Sequence, residues 1–595
     1  MSIKYKLINE PQGFSATEQI MFNRGIPTSD FGNYIYTSDE DVNDYKLLNL
    51  HQLMRAETAL AKALEQKKKI CIIVDSDCDG FTSAALLINY LFQIDKEAVE
   101  ERIDWLIHEG KQHGLADHID NILTKDYGLV IVPDAGSNDL LEHKALAKNH
   151  IDCLILDHHD VDIENFDIES YEDAIIINNQ LCNYPNKDLS GAGVVYQFCR
   201  YLDDKWNCCY ADDFLDLVAT GLDGDMMSLL SRETKHLIWK GFKSIDNIRN
   251  PFISGMVKKN DFSLNKAEYK SEYLAISPMG AAFFIVPFIN ATMRSGTTEE
   301  KELVFEAMLT HKAFQKIPSN KRGHSIGEME SVLEQALRTV TNIKNRQTKA
   351  QDSGLMAIEK EIEENHLMEH KTLLFCEPSG IISPNVAGLV ANKIMAKYQR
   401  PVCILIDCGD AYQGSARGCE KADVKDFKKY CLNYENTNYA VGHPGAFGLS
   451  IPKNKKEDFI SYMDKNLPPM SNKPIYFVDY IFQGENFEKE TILDIAKMND
   501  FWGKDFDRSQ IAIENLKLDL KKINVYQKKN ITIKIQLNND VAIMWFDVPE
   551  DILNKIETNS NSLSLNLVGE CVKNEFMGTI TPQIKIVDYE LNYIF

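Results

Sequence analysis

The sequence predicts an α/β protein in which two α/β domains are joined by a long helix and followed by a small C-terminal β-barrel. At 595 residues the chain is too long for a single hydrophobic core. Its first half contains short apolar runs that alternate with helical patterns, which is typical of a parallel sheet covered on both faces. Its C-terminal region alternates apolar and polar residues in short runs, which is typical of barrels and sandwiches.

The predicted parallel sheet follows a helix at residues 51–69, where apolar residues recur at helical spacing. Three apolar runs predict its strands: Ile70–Val74, Leu129–Val132 and Ile151–Leu156. An aspartate follows each run, at Asp75, Asp134 and Asp157. Because ligands of open α/β sheets bind at the carboxyl ends of the strands, we expect these side chains to converge on one crevice.

The second half of the chain predicts the remaining parts. A polar helical pattern at Ser325–Glu369 predicts the long connecting helix. Strands at Thr372–Phe375 and Val402–Ile406, with a helix at Val386–Tyr398, predict the second α/β unit. After Pro474, four alternating runs predict the barrel: Asn530–Leu537, Val541–Phe546, Ser562–Val568 and Gln583–Val587.

The net charge of −23 is concentrated in one part of the chain. Residues 51–250 carry 19 Lys and Arg against 36 Asp and Glu, whereas residues 251–595 carry 42 against 45. An acidic block of this kind is either a solvated surface or is built around cations. The distribution therefore does not exclude a nucleic-acid partner for the rest of the chain.

Targeting signals and metal-binding cysteine pairs are not visible in the sequence. The apolar runs are far shorter than the ~20 residues of a membrane helix, and the N-terminus lacks the pattern of a secretory signal. We therefore expect a cytoplasmic protein without a membrane partner. The 13 cysteines include no C-x-x-C pair, so we expect them to be reduced and to bind no metal.

Three carboxylates stand at alternate positions in the segment from Asp75 through Asp77 and Asp79 to Gly80. Alternation places them on one side of a strand end, where they repel one another unless a cation neutralises them. A Ca²⁺ loop of the EF-hand type is the competing interpretation. Such a loop needs a glutamate at its twelfth position, which is Leu86 here.

Further acidic and imidazole side chains follow the later strands. Besides Asp75, Asp77 and Asp79, the candidate metal ligands are Asp134, the triplet Asp157-His158-His159, and the acidic pair Asp223 and Asp225. Oxygen-rich ligands with an imidazole suit Mn²⁺ or Mg²⁺, and the number of ligands suits two ions, the usual arrangement for phosphoester displacement.

In this order, the motifs resemble those of the DHH phosphoesterases and, within them, the RecJ-type exonucleases. Four segments resemble the catalytic motifs: Asp75–Ser83, Asp134–Gly136, Asp157–His159 and Asp225–Leu229. Three later segments resemble the substrate-binding motifs: Pro287–Arg294, Gly414–Arg417 and Gly442–Gly448. The resemblance implies an N-terminal segment at 1–45, a DHH catalytic domain at 46–324, a connecting helix at 325–369, a DHHA1 domain at 370–470 and an OB-fold at 471–595.

The resemblance also implies a metal-dependent exonuclease that digests single-stranded DNA 5′→3′ to 5′-mononucleotides, in DNA repair or recombination. The implied metal ligands are Asp75, Asp77, Asp79, Asp134, His158 and Asp225, with Asp157 and His159 as further ligands or supporting residues. The implied catalytic residues are Asp157, His159, Asn290 and Arg294. The implied substrate-binding residues are Ser415, Arg417, Gly442, His443 and Gly445. In the C-terminal region, Lys521, Lys522, Lys528 and Lys529 form a basic patch that predicts further substrate contacts, and Trp545 is a candidate for base stacking. For Trp545 and its neighbour Phe546, a place in the barrel core is the competing interpretation. A helicase or a single-strand-binding protein is a candidate partner.

Two other functions stay open at this stage. A phosphodiesterase of cyclic dinucleotides or short oligonucleotides is disfavoured by the length of the chain and by its C-terminal strands. A non-catalytic DNA-binding scaffold of a replisome is disfavoured by the intact ligand positions. The residues alone set neither the polarity of digestion nor a preference for DNA over RNA.

Overall fold

The computed structural model describes residues 3–110, 112–161, 170–266, 268–377, 382–470, 474–527, 530–559, 563–576 and 578–593. Within these ranges the chain forms three large β-sheets. No helix in the described ranges has the length and apolar character needed to cross a lipid bilayer.

The first part of the chain is built around a five-stranded parallel sheet. Its strands, together with a short N-terminal strand, are β1 (Lys4–Leu7), β2 (Lys69–Val74), β3 (Ile103–Ile107), β4 (Tyr127–Pro133), β5 (Asp152–Asp157) and β6 (Ile175–Asn178). The sheet order is β3-β2-β4-β5-β6, with every pairing parallel. Every residue of β4 and β6 is buried, as their continuous apolar runs require. The predicted α/β class with a parallel sheet is confirmed.

Sixteen helices of the described chain precede or cover this sheet. They are α1 (Ala16–Asn23), α2 (Phe31–Ile35), α3 (Leu50–Glu65), α4 (Cys78–Ile94), α5 (Lys96–Arg102), α6 (Ile119–Leu123), α7 (Leu140–Lys148), α8 (Ser170–Asp173), α9 (Gly191–Trp206), α10 (Leu215–Gly224), α11 (Arg232–Phe242), α12 (Pro251–Lys259), α13 (Asp261–Leu264), α14 (Pro278–Phe284), α15 (Val286–Ser295) and α16 (Thr298–Met308).

A long helix, α17 (Val332–Glu364), leads to the second part. It begins at a capping box in which Ser331 and Glu334 satisfy each other's backbone amides. The predicted helix began at residue 325, but a small hairpin of β7 (Lys316–Pro318) and β8 (Met329–Ser331) precedes the cap.

The second part has its own sheet and its own hydrophobic core. Its elements are β9 (Leu373–Glu377), α18 (Pro384–Tyr398), β10 (Val402–Asp407), β11 (Ala411–Arg417), α19 (Phe427–Leu432), β12 (Tyr439–His443), β13 (Ala446–Pro452) and α20 (Lys456–Asn466). The sheet order is β12-β13-β11-β10-β9, and β9 and β10 alone are parallel within it. Two hydrophobic clusters, one on each face of this sheet, are separate from the core of the first part.

The C-terminal part is a mixed seven-stranded sheet. Its elements are β14 (Ile475–Val478), β15 (Tyr480–Gln483), α21 (Lys489–Lys497), β16 (Gln510–Lys517), β17 (Ile523–Gln527), β18 (Ile531–Gln536), β19 (Ala542–Trp545), α22 (Glu550–Asn559), β20 (Leu563–Phe576) and β21 (Thr579–Tyr593). The order is β15-β16-β20-β21-β19-β18-β17. Among the described strands no pairing joins β15 to β17, so the predicted closed barrel is not confirmed.

The C-terminal part is joined to the first part by an extensive interface. Strand β1 pairs in parallel with β14, and a single hydrophobic cluster extends from the parallel sheet into the C-terminal sheet. At this interface Tyr34 stacks on Phe506, and the backbone amide of Leu229 donates to the carbonyl of Lys504 at 3.0 Å. The first and C-terminal parts therefore share one core, whereas the second part does not.

Candidate metal centre

The carboxyl ends of the parallel strands bring the predicted aspartates together. Asp75 follows β2, Asp134 follows β4, and Asp157 ends β5. Asp77 is the N-cap of α4, where its side chain accepts a hydrogen bond from the Gly80 amide at 3.0 Å. Asp225 is added from the C-terminal end of α10.

Three groups of potential ligand atoms occur here, and within each group the atoms lie within 4.8 Å of one another. They are Asp75, Asp77 and Asp134; Asp79, His158 and Asp225; and Asp134, His158 and His159. His158 connects the groups, because its Nε2 lies 3.2 Å from Asp134 and 3.4 Å from Asp225. All six predicted metal ligands therefore meet in one crevice.

The surroundings of Asp134 indicate whether this crevice suits a cation. Its side chain is buried, and neither carboxylate oxygen has a hydrogen-bond partner among the described residues. Burial, together with the neighbouring carboxylates of Asp79 and Asp77, raises the pKa of Asp134 well above its usual range. A buried carboxylate without a partner is costly, and a bound divalent cation supplies the missing partner. The residues present thus fit Mn²⁺ or Mg²⁺.

The start of α9 supports Asp79. The amides of Gly191 and Ala192 donate to its carboxylate at 2.6 and 3.1 Å, and the Ser190 hydroxyl donates at 2.9 Å. A Cβ atom on Gly191 would lie 2.5 Å from the Cβ of Asp134, so only glycine permits this approach. Neither Ser190 nor Gly191 was a predicted site residue, although a glycine-rich helix start is a signal for anion contacts.

Asp157 contacts His159. Its Oδ1 accepts hydrogen bonds from the amide of His158 at 2.7 Å and from the ring Nδ1 of His159 at 2.8 Å. Burial opposes ionisation of Asp157, but these histidine contacts hold its pKa below the usual range. Burial likewise opposes charge on His159, yet the contact with Asp157 raises the pKa of His159 to about 10. Asp157 therefore positions His159 and favours its protonated form.

The loop after β3 contacts Asp75, and this contact was not predicted from the sequence. Nδ1 of His113 lies 2.6 Å from Asp75 Oδ2, and the amide of Gly114 donates to Oδ1 at 3.2 Å. His108 is fully buried, with its Nε2 3.7 Å from Asp75. A histidine that precedes glycine in a strand-end loop was the available signal.

Two arginines from different parts of the chain approach the centre. Arg294 lies in the last turn of α15, where burial lowers its pKa and the Asp77 carboxylate opposes that shift. On β11, burial and the nearby charge of Arg294 lower the pKa of Arg417. On α15, Asn290 accepts a hydrogen bond from the Cys78 amide at 3.0 Å and so fixes the start of α4.

Helix α18 leaves room for the substrate-binding residues predicted on β11. A Cβ atom on Gly388 of α18 would lie 2.5 Å from Nη2 of Arg417 and 3.3 Å from Oγ of Ser415. His443, Ala446 and Arg417 are directly opposite one another across β12, β13 and β11, so their side chains project on the same face.

The predicted glycines lie near the end of β12, where Gly442 is part of the strand, and in the following turn, which contains Gly445. Gly442 has φ of +129°, a conformation that favours glycine, and the carbonyl of Gly445 accepts a hydrogen bond from the Gly418 amide at 2.8 Å. His443 is exposed at this turn. The turn thus presents His443 to solvent on a backbone that its glycines allow.

The predicted contacts of the C-terminal sheet are only partly accessible. The prediction for Trp545 is wrong: the side chain is 2% exposed and packs against Tyr589, because strand alternation turns it into the core. Phe546, immediately after β19, is 46% exposed. Lys521 is exposed, whereas Lys522 forms an ion pair with Glu485 at 3.1 Å. Lys528 and Lys529, part of the same predicted basic patch, lie outside the described residues.

Carboxylates and an imidazole at the carboxyl edge of a parallel sheet, with two half-buried arginines nearby, define a metal-dependent phosphoesterase. Residues 69–222 match the DHH family, N-terminal domain. The chain is 33% identical over 604 residues to YorK of Bacillus subtilis, by name an SPbeta prophage-derived single-strand DNA-specific exonuclease, covering 99% of this chain and 98% of YorK. The protein belongs to the RecJ-like group of the DHH family.

More distant relatives share the same arrangement. The single-stranded-DNA-specific exonuclease RecJ of Bacillus subtilis is 23% identical, covering 96% of this chain and 67% of that protein. The Mn²⁺ complex of RecJ from Thermus thermophilus superposes with a TM-score of 0.67 at 17% identity, covering 97% of this chain and 76% of that one. This similarity shows a common fold across all three parts.

Proposed function

We propose that the protein is a metal-dependent exonuclease that hydrolyses single-stranded DNA. The observation that carries this proposal is the half-buried pair of Arg294 and Arg417 beside the metal centre. Two half-buried guanidinium groups that repel each other would be stabilised by an anion between them, and a backbone phosphate has the charge and geometry for both. The names of the relatives, which specify single-stranded DNA, support the same substrate.

The roles of the residues at the centre follow from their contacts. Two bound Mn²⁺ or Mg²⁺ ions would supply an activated water and neutralise charge at the scissile phosphate. The ligands would be Asp75, Asp77, Asp79, Asp134, His158 and Asp225. His159, positioned by Asp157, and Arg294 would stabilise charge on the non-bridging oxygens. The amide nitrogen of Asn290 would donate to the same phosphate.

The second part would bind the strand away from the cleaved bond. Ser415, Arg417 and the turn of Gly442, His443 and Gly445 present donors along one face of its sheet. This division of labour assigns catalysis to residues 46–324, the connection to 325–369 and backbone binding to 370–470. We assign strand binding in the C-terminal part, 471–595, to Lys521, Lys522 and exposed Phe546, in the manner of an OB-fold.

The direct test is digestion of labelled substrates with Mn²⁺. We expect rapid digestion of linear single strands, slow digestion of blunt duplexes and no cleavage of circular single strands or cyclic dinucleotides. Asp134→Ala and His158→Ala should abolish hydrolysis, whereas Asp152→Ala, which removes an exposed carboxylate paired with Lys62, should not. Equal digestion of cyclic dinucleotides would favour a small-nucleotide phosphodiesterase, and binding without cleavage would favour a scaffold.

The direction of digestion is a separate part of the proposal. We propose 5′→3′ digestion with release of 5′-mononucleotides, which is supported only by the resemblance to RecJ-type enzymes. Strands blocked at the 5′ end should resist digestion, while strands blocked at the 3′ end should be shortened. The opposite pattern would reverse the polarity and leave the hydrolytic assignment unchanged.

A further inference from the structure

A second cluster of potential metal ligands lies beside the catalytic centre. It consists of His108 at the end of β3, and of Asp117 and His118 just before α6. One ligand atom from each of the three residues lies within 4.8 Å of the other two. None of the three is among the predicted ligands of the catalytic ions.

The geometry of this cluster leaves a buried ring nitrogen, Nε2 of His118, without a hydrogen-bond partner among the described residues. Nδ1 of His108 lies 2.9 and 3.0 Å from the two carboxylate oxygens of Asp117, and the rings of His108 and His118 are 4.5 Å apart. His108 is fully buried. Its Nε2, across the ring from the nitrogen that contacts Asp117, lies 3.7 Å from Asp75, whereas Nε2 of His118 is buried and forms no hydrogen bond within the described part of the chain. Buried polar atoms of this kind are rare unless an ion or a water completes the site.

We propose that His108, Asp117 and His118 bind a structural Zn²⁺ ion, distinct from the catalytic pair. Two imidazoles and one carboxylate are protein ligands typical of Zn²⁺, and a water molecule completes the tetrahedron. Water can reach the site from the side of Asp117, because the Asp117 side chain is 30% exposed. The oxygen-rich catalytic set prefers Mn²⁺ or Mg²⁺, so the two sites select different ions.

The position of the cluster gives the ion a structural role. It would join the end of β3 to the start of α6, which closes the loop carrying His113 and Gly114. Those two residues contact Asp75, and the Lys301 ammonium holds the start of the loop by donating to the carbonyl of His108 at 2.8 Å. The Zn²⁺ ion would thereby fix the orientation of a catalytic ligand without touching the substrate.

The test is the metal content of the full-length protein, in a variant whose catalytic site is disabled by Asp134→Asn and His158→Gln. After incubation with micromolar Zn²⁺ and removal of free metal, we expect one equivalent of zinc by elemental analysis. Adding Asp117→Asn or His118→Asn should remove that equivalent. The matched control His150→Asn, at an exposed histidine of the same part, should retain it.

Two further readouts guard against misfolding. Circular dichroism must show the same fold in each variant, and Co²⁺ in place of Zn²⁺ should give the visible absorption of a tetrahedral site only when Asp117 and His118 are intact. Zinc should also slow hydrogen exchange in the loop at 109–116. The proposal is overturned if the disabled variant binds no zinc at micromolar concentration, or if folded Asp117→Asn and His118→Asn variants keep the full equivalent.

Discussion

Removing the charge of Asp134 should stabilise the protein when no metal is bound. Asp134 is buried beside Asp75 and Asp77, and its carboxylate oxygens have no hydrogen-bond partner among the described residues. Asparagine keeps the shape of the side chain and removes the charge. In the absence of metal, Asp134→Asn should therefore have a higher melting temperature than the wild type, although it should not support hydrolysis.

The size of this effect follows from the separation of the carboxylates. Ligand oxygens of Asp75, Asp77 and Asp134 lie within 4.8 Å of one another. At this distance and an effective dielectric constant of about 20, each repulsive pair costs about 3.5 kcal/mol. Protonation of Asp134 relieves part of this cost in the wild type, so we expect a net gain of ~1–3 kcal/mol, or an increase of a few degrees in melting temperature.

The pH dependence gives the sign of the effect independently. The raised pKa of Asp134 means that the folded protein binds this proton more tightly than the unfolded chain does. The stability of the metal-free wild type should therefore fall as the pH rises from the usual aspartate pKa through the raised value. The gain in Asp134→Asn should be larger at pH 8 than at pH 5.

Thermal melts with a chelator at pH 5 and pH 8 test this reasoning, with Asp152→Asn as an exposed control. Addition of Mn²⁺ should give the wild type the higher melting temperature, because only the wild type retains all of its metal ligands and is stabilised by binding. A lower melting temperature for Asp134→Asn at pH 8 without metal would refute the account of the centre as a cluster of repelling carboxylates.

Three further predictions concern the cleft and the interface. Gly388→Ala should displace the flexible end of Arg417 and change the melting temperature little. The affinity for single strands should fall ~10-fold, about the value of one charge-assisted hydrogen bond. Unchanged affinity would exclude Arg417 from strand binding. Arg294→Gln should lower the dependence of log affinity on log salt by ~0.7, as for one lost phosphate contact to a single strand; an unchanged slope would contradict that contact. At the interface with the C-terminal part, the buried Lys235 ammonium lies over the rings of Tyr34 and Phe501, and burial lowers its pKa to about 7. Wild-type stability should therefore rise between pH 7 and 10 more than that of Lys235→Met, and parallel pH dependences of the melting temperature would contradict a lowered pKa.

The metal centre was predictable because parallel topology fixes where strand ends meet. Asp75, Asp134 and Asp157 each follow a buried apolar strand, so a local pattern was enough to place them at one edge. The start of the long helix was equally accessible, since Ser331 and Glu334 have the spacing of a capping box. The helical pattern alone misplaced that start by several residues.

Features that depend on distant pairing were not predictable. Period-two alternation in the C-terminal strands does not reveal which face is buried, and Trp545 was assigned to the wrong face for this reason. The pairing of β1 with β14 joins segments at opposite ends of the sequence and leaves no local signal. The contact of the Gly114 amide with Asp75 is made by backbone, so residue types alone could not show it.

The distribution of hydrophobic cores explains how the cleft is assembled. The first and C-terminal parts share one core, whereas the second part has two clusters of its own and follows α17. Arg294 and Arg417 therefore belong to separately stabilised bodies, and their charges repel each other. A phosphate bound between them converts this repulsion into two attractions. Substrate binding itself should thus stabilise the approach of the two parts, because the bound anion offsets the repulsion between these two arginines.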